Sequence, residues 1–110
     1  MVMSAAEMKR LAREAMAEGL TLQAERHRAV ATPKTPKEYG DLRSAHTVDP
    51  ATPDDLLATV TNDLPYAAKQ HEDLTLRHDD GQAKFFELAS AEIEGEAQEI
   101  MAAAIRRRLG

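Results

Sequence analysis

The chain of 110 residues has no cysteine and no tryptophan, and only two Tyr and two Phe. The absence of cysteine excludes disulfides and thiolate chemistry, which fits a reducing cytoplasm. With so few aromatics, a core has to be assembled from Leu, Ile, Val, Met and many Ala, and the length leaves room for one domain around one core. Such a core is thin, so part of its apolar surface is expected to need a partner. No run of about 18 apolar residues is present. Met1-Val2-Met3-Ser4 leads directly into a charged helix and not into the apolar stretch of a signal peptide. The expectation is a soluble protein, not exported by a standard signal and not a membrane protein.

An excess of basic charge is also lacking: 19 Asp and Glu outnumber 14 Lys and Arg, for a formal net charge of −5. A duplex-binding domain normally carries a basic face, because affinity for DNA comes largely from neutralising phosphates. The one dense basic cluster is Arg106-Arg107-Arg108. Three cations in the last turn of a helix complement its macrodipole, with Glu87, Glu92 and Glu94 toward the other end. That structural reading, or a salt bridge across a subunit contact, ranks well ahead of nucleic-acid binding.

What is present is helical at both ends. Ser4 with Glu7 reads as a capping box, and Met8, Leu11, Ala12, Ala15, Met16 and Leu20 form one apolar stripe with Lys9, Arg10, Arg13, Glu14 and Glu18 opposite. Gly19 marks a close backbone approach or a bend. The helix is expected over 4–31, because Pro33 disfavours the helical conformation at the residue before it. At the other end Phe86, Ala89, Ile93, Ala97, Ile100 and Ala104 recur at three- and four-residue spacing, predicting a helix over 83–109 with Gly95 on its polar side.

Between them, Leu42, Ser44, His46 and Val48 alternate with Arg43, Ala45, Thr47 and Asp49, and Leu57, Thr59 and Thr61 alternate with Ala58 and Val60. Joined by the turn formers Pro50 to Asp55, these predict a β-hairpin over 42–61. Asn62-Asp63-Leu64-Pro65 opens a short helix over 65–70, and the polar stretch 71–81 reads as an exposed loop. The fold expected is therefore α+β: a long N-terminal helix, a short antiparallel sheet, a short middle helix, and a long C-terminal helix packed on the sheet. Leu11, Val60, Tyr66, Phe86, Ile93 and Ile100 are the predicted core.

Chemistry-bearing constellations are weak. His71-Glu72 with His78 and Asp79-Asp80 supplies ligand types for a metal, but the spacing does not match the two-histidine helical zinc motif, since position 75 is Thr. Asp54-Asp55 and Asp79-Asp80 could do acid/base work, but turns attract Asp for hydrogen-bonding reasons alone. Arg43 beside Ser44 could bind an anion, although pairing with Asp41 or a helix acid is the plainer reading. His27 and His46 have no partner suggested by the sequence. No Gly-rich phosphate loop, Ser-His-Asp order or Cys nucleophile is detectable, so neither a cofactor nor an enzyme is expected.

Three segments pair a backbone-shaping residue with an aromatic: Tyr39-Gly40-Asp41-Leu42-Arg43-Ser44, then Pro65-Tyr66-Ala67 with Glu72, then Gly81 with Phe85-Phe86. In order and spacing, following Pro36 and lying between two long helices, they resemble the small head-to-tail joining (neck and tail-completion) proteins of long-tailed DNA bacteriophages. Asp73 stands where that family often has a Gly after the Glu, and Asp79-Asp80 occupies a loop that is frequently Pro-containing. The resemblance implies a non-enzymatic virion component, a tail terminator or head–tail connector layer. It would form a ring, commonly of six copies, contact neighbouring neck, portal-adaptor or tail-tube proteins, and pass DNA without reading it. His71, Asp73, His78, Ala97, Ala104 and Arg106 are then the candidate contacts with a subunit or neighbour. The alternatives are a helical protein-binding module of the cytoplasm, antitoxin-like or regulatory, and a small metal-dependent hydrolase.

Overall fold

The computed structural model describes residues 2–35, 43–62 and 84–110. Its elements are α1 (Ala5–Lys34), β1 (His46–Asp49), β2 (Thr59–Asn62), α2 (Phe85–Ile93), a 3-10 turn (Glu94–Glu96) and α3 (Ala97–Leu109). The α+β architecture expected from the sequence is present. The predicted helix over 65–70 and loop over 71–81 lie outside the described residues, as do Tyr39, Gly40, Leu42, Pro65, Tyr66, His71, Glu72, Asp73, His78 and Gly81.

Helix α1 begins where the cap predicts: the Ser4 hydroxyl accepts the Glu7 amide at 3.1 Å, and the Ser4 carbonyl accepts the Met8 amide at 3.0 Å. Its end corrects the expectation of a stop at residue 31, because the helix continues through Pro33 to Lys34. Pro33 removes one donor, but the carbonyl it orphans belongs to exposed Ala29. The last turn is closed from outside the ladder. Thr35 donates its amide (3.0 Å) and its hydroxyl (2.9 Å) to the Ala31 carbonyl. Arg43 reaches back to the carbonyls of Thr35 at 2.7 Å and Pro33 at 3.1 Å, where a cation also meets the negative end of the helix dipole.

The same contact corrects the start of the hairpin. Arg43 and Ser44 are helical, and the strand begins only at His46. The pairing is antiparallel, with His46 opposite Asn62 and Val48 opposite Val60. In the connection, the Thr52 amide donates to the Asp55 carbonyl at 2.9 Å and the Asp55 amide returns to Thr52 at 3.1 Å. Two strands alone are marginal in water. These are pinned to α1 by Ala51 N–H on Thr21 Oγ1 at 3.0 Å and by Arg13 Nε on the Pro53 carbonyl at 2.6 Å.

The C-terminal helix is not continuous, as the sequence implied, but breaks at Glu94–Glu96. Both halves run antiparallel to α1, staked by Lys34–Glu92 (2.8 Å), Arg26–Glu96 (2.8 Å) and Arg107–Glu18 (3.0 Å). The break lets α2 seat Ala89 and Ile93 against Val30 and Ala31, while α3 follows the more N-terminal part of α1. Among the described residues, six of the nine buried apolar ones are alanine, which permits close helix approach. Of the predicted core, Ile93 is buried, while Leu11, Val60, Phe86 and Ile100 are only half-buried. Close Ala contacts at the centre leave the larger side chains at the flanks. Phe85, not Phe86, is the aromatic that is sealed, at 1 % exposure.

The molecule is slender, with extents of 60 × 25 × 18 Å. Its radius of gyration of 17.1 Å exceeds the roughly 13 Å expected of a compact chain of this length.

Candidate functional site

Two places on this frame gather side chains of interest. The first joins α1, β1 and α2. The His46 ring lies 5.5 Å from that of Phe85 and 4.9 Å from that of Phe86, with His27 5.6 Å from Phe86 on the other side. The Thr35 hydroxyl spends its proton on the Ala31 carbonyl, so it accepts from His46 Nε2–H at 2.7 Å. Asn62 then donates its amide to the lone pair on Nδ1 at 3.0 Å. The network assigns a neutral imidazole. Burial, followed by the neighbouring His27 and then Arg28, pushes the His46 pKa down to about 4.

His27 Nε2 lies 2.9 Å from the Phe86 carbonyl and 2.9 Å from Ser90 Oγ. A serine at that distance from an imidazole has the spacing of a nucleophile and its base. Here the carbonyl requires Nε2 to carry the proton, so no lone pair faces the serine. Nδ1, which an orienting carboxylate would hold in a triad, is buried without a hydrogen-bond partner among the described residues. In this arrangement the two histidines hold α1, the hairpin and α2 together.

The second place is a groove of about 380 Å³ along α1, between the hairpin connection and the C-terminal end of α3. Ala17, Leu22, Pro50, Ala51 and Pro53 form its apolar wall, and Glu14, Glu18 and Arg108 its edge. That edge is internally neutralised. Glu18 accepts from Arg108 at 2.9 Å and Arg107 at 3.0 Å, while Glu14 bridges Arg108 at 3.1 Å and Arg10 at 2.9 Å. The Arg108 guanidinium, with that of Arg107, holds the Glu18 carboxyl below the usual carboxylate range.

The arginine cluster thus pairs within the subunit through Arg107 and Arg108, while Arg106 is exposed and forms no ion pair among the described residues. Arg43 binds the end of α1, the role not foreseen from its neighbours in sequence. Ala97 is half-buried. Ala104 corrects its assignment as a subunit contact: at 0 % exposure it is enclosed within its own subunit. The sequence reading missed His46, although its place on the same strand face as Val48 was the available signal.

Among the described residues no three His, Asp or Glu side chains are grouped so as to hold a metal ion. None of the described helices is long and apolar enough to cross a membrane. No family model, no curated protein and no solved structure matches the chain.

Proposed function

We propose that this chain is a non-enzymatic structural subunit of a bacteriophage neck, assembling with copies of itself into a closed ring between the DNA-filled head and the tail. The reading is carried by the order of Tyr39-Gly40, Leu42-Arg43-Ser44, Pro65-Tyr66 and Phe85-Phe86 after a long N-terminal helix, with the last pair opening the C-terminal helical segment. Two of these residues have anchoring roles consistent with it, since Arg43 closes α1 and Phe85 is buried at the start of α2. A slender subunit that leaves Met8, Leu57 and Leu109 about half exposed or more also favours assembly. An acidic lumen suits a conduit, because one lined with Lys and Arg would hold the passing phosphates.

The mass of the purified protein in solution tests the ring. A single species near six times the 12.1 kDa of one chain is expected. A monomer at micromolar concentration, or a one-to-one complex with a host protein, overturns the reading. Location is tested separately by immunogold labelling of virions, with label expected at the junction of head and tail.

A further inference from the structure

The stripe of α1 that faces α3 continues toward the N-terminus after α3 has ended. Arg108, one residue from the end of α3, pairs with Glu14, so the turns of α1 before that residue have none of the described helices beside them. Residues 4–10 are all exposed, Met8 at 53 %. Lys9, next to it, forms no ion pair among the described residues. The groove has the reverse character: an apolar wall formed by Leu22, Ala51 and Pro53, with Asp54 and Asp55 following Pro53 in the connection. Both acids are exposed and have no ion pair among the described residues.

We propose that the groove receives the N-terminal turns of α1 from a second copy of this chain, with Met8 on the apolar wall and Lys9 against Asp54 and Asp55. An apolar helix face laid into such a groove, flanked by matching charges, is a standard recognition geometry. A subunit cannot fill its own groove this way. Met8 and Leu22 lie on one continuous helix, about 21 Å apart at 1.5 Å per residue. The knob and the groove are different patches, so the contact is head-to-tail and propagates until rotation closes it. This deepens the ring reading by naming its contact, and rests on that reading only for closure.

The test uses two variants of the full chain: Met8→Asp, which spoils the knob, and Leu22→Arg, which places a cation in the groove. Each alters an exposed helical position, so unchanged helical circular dichroism is expected. Each alone should sediment as a monomer, and an equimolar mixture should give a one-to-one dimer and nothing larger, because it holds one intact knob and one intact groove. Lys9→Glu should weaken wild-type association, and Asp54→Lys with Asp55→Lys should restore it. A wild type that assembles while Met8→Asp assembles equally well overturns this contact and leaves the ring standing. A mixture that stays monomeric, or a charge exchange that restores nothing, also overturns it, and a monomeric wild type overturns both.

Discussion

Gly19 of α1 lies against Met101 of α3: a β-carbon added at Gly19 would lie 2.6 Å from Met101 Sδ and 3.3 Å from Met101 Cα. The close approach that the glycine signalled is therefore real, and it sets the spacing of the two long helices. Gly19→Ala gains up to about 1 kcal/mol of helix propensity, but overpacking costs about 1 to 3 kcal/mol. The net is expected to be destabilising. Adding Met101→Ala should recover part of the loss, with a coupling of about 0.5 to 3 kcal/mol in a urea double-mutant cycle. A stabilised Gly19→Ala would mean that the helices are further apart.

Ala104 and Ala97 should respond differently to the same change. Ala104→Trp forces an indole into a site with 0 % exposure and should cost about 1 to 3 kcal/mol or more. That lowers the thermal midpoint by roughly 4 to 8 °C per kcal/mol. Ala97→Trp, at a half-buried position, should cost less. Equal midpoints for the two variants would place Ala104 outside the core.

His46 predicts a pH dependence. Its folded-state pKa, about 4, lies below the ordinary value of 6.5, so between these values the unfolded chain binds more protons. Stability from this group is complete above about pH 6.5 and is lost as pH falls toward 4, by on the order of 2 to 3 kcal/mol. The lowered carboxyls of Glu18 and Glu96 act only below their ordinary 4.5, which leaves pH 6.5 to 4.5 as the histidine's window. Chemical denaturation across that range should show the slope in the wild type, and His46→Gln should flatten it.

Lys84 is a non-glycine residue in the left-handed region, with φ 61° and ψ 31°. That conformation costs an L-residue about 1 to 2 kcal/mol, while glycine brings a larger unfolded-state entropy of about 0.4 to 1 kcal/mol. Lys84→Gly is thus expected to stabilise by up to about 1 kcal/mol, and Lys84→Val to destabilise. A denaturation midpoint that falls for glycine would show that the start of α2 differs in solution.

What the sequence by itself determined is what depends on near neighbours in the chain. Ser4 three residues before Glu7 sets the start of α1, and the run of turn formers around Thr52 and Asp55 joins two alternating segments. Spacing at three and four residues makes helices of both ends, because backbone bonding and amphipathic period are local. Tertiary structure alone decided what happens where surfaces meet. Pro33 stays helical because Thr35 and Arg43 satisfy the carbonyls of the last turn, and Arg43 is helical, not extended, in the segment that makes that contact. Ala104 looks like any other position on its stripe, and only the proximity of α1 makes it interior. The His46 imidazole is uncharged because Thr35, Asn62 and Phe85, distant in sequence, enclose it and replace the water that would have favoured its proton.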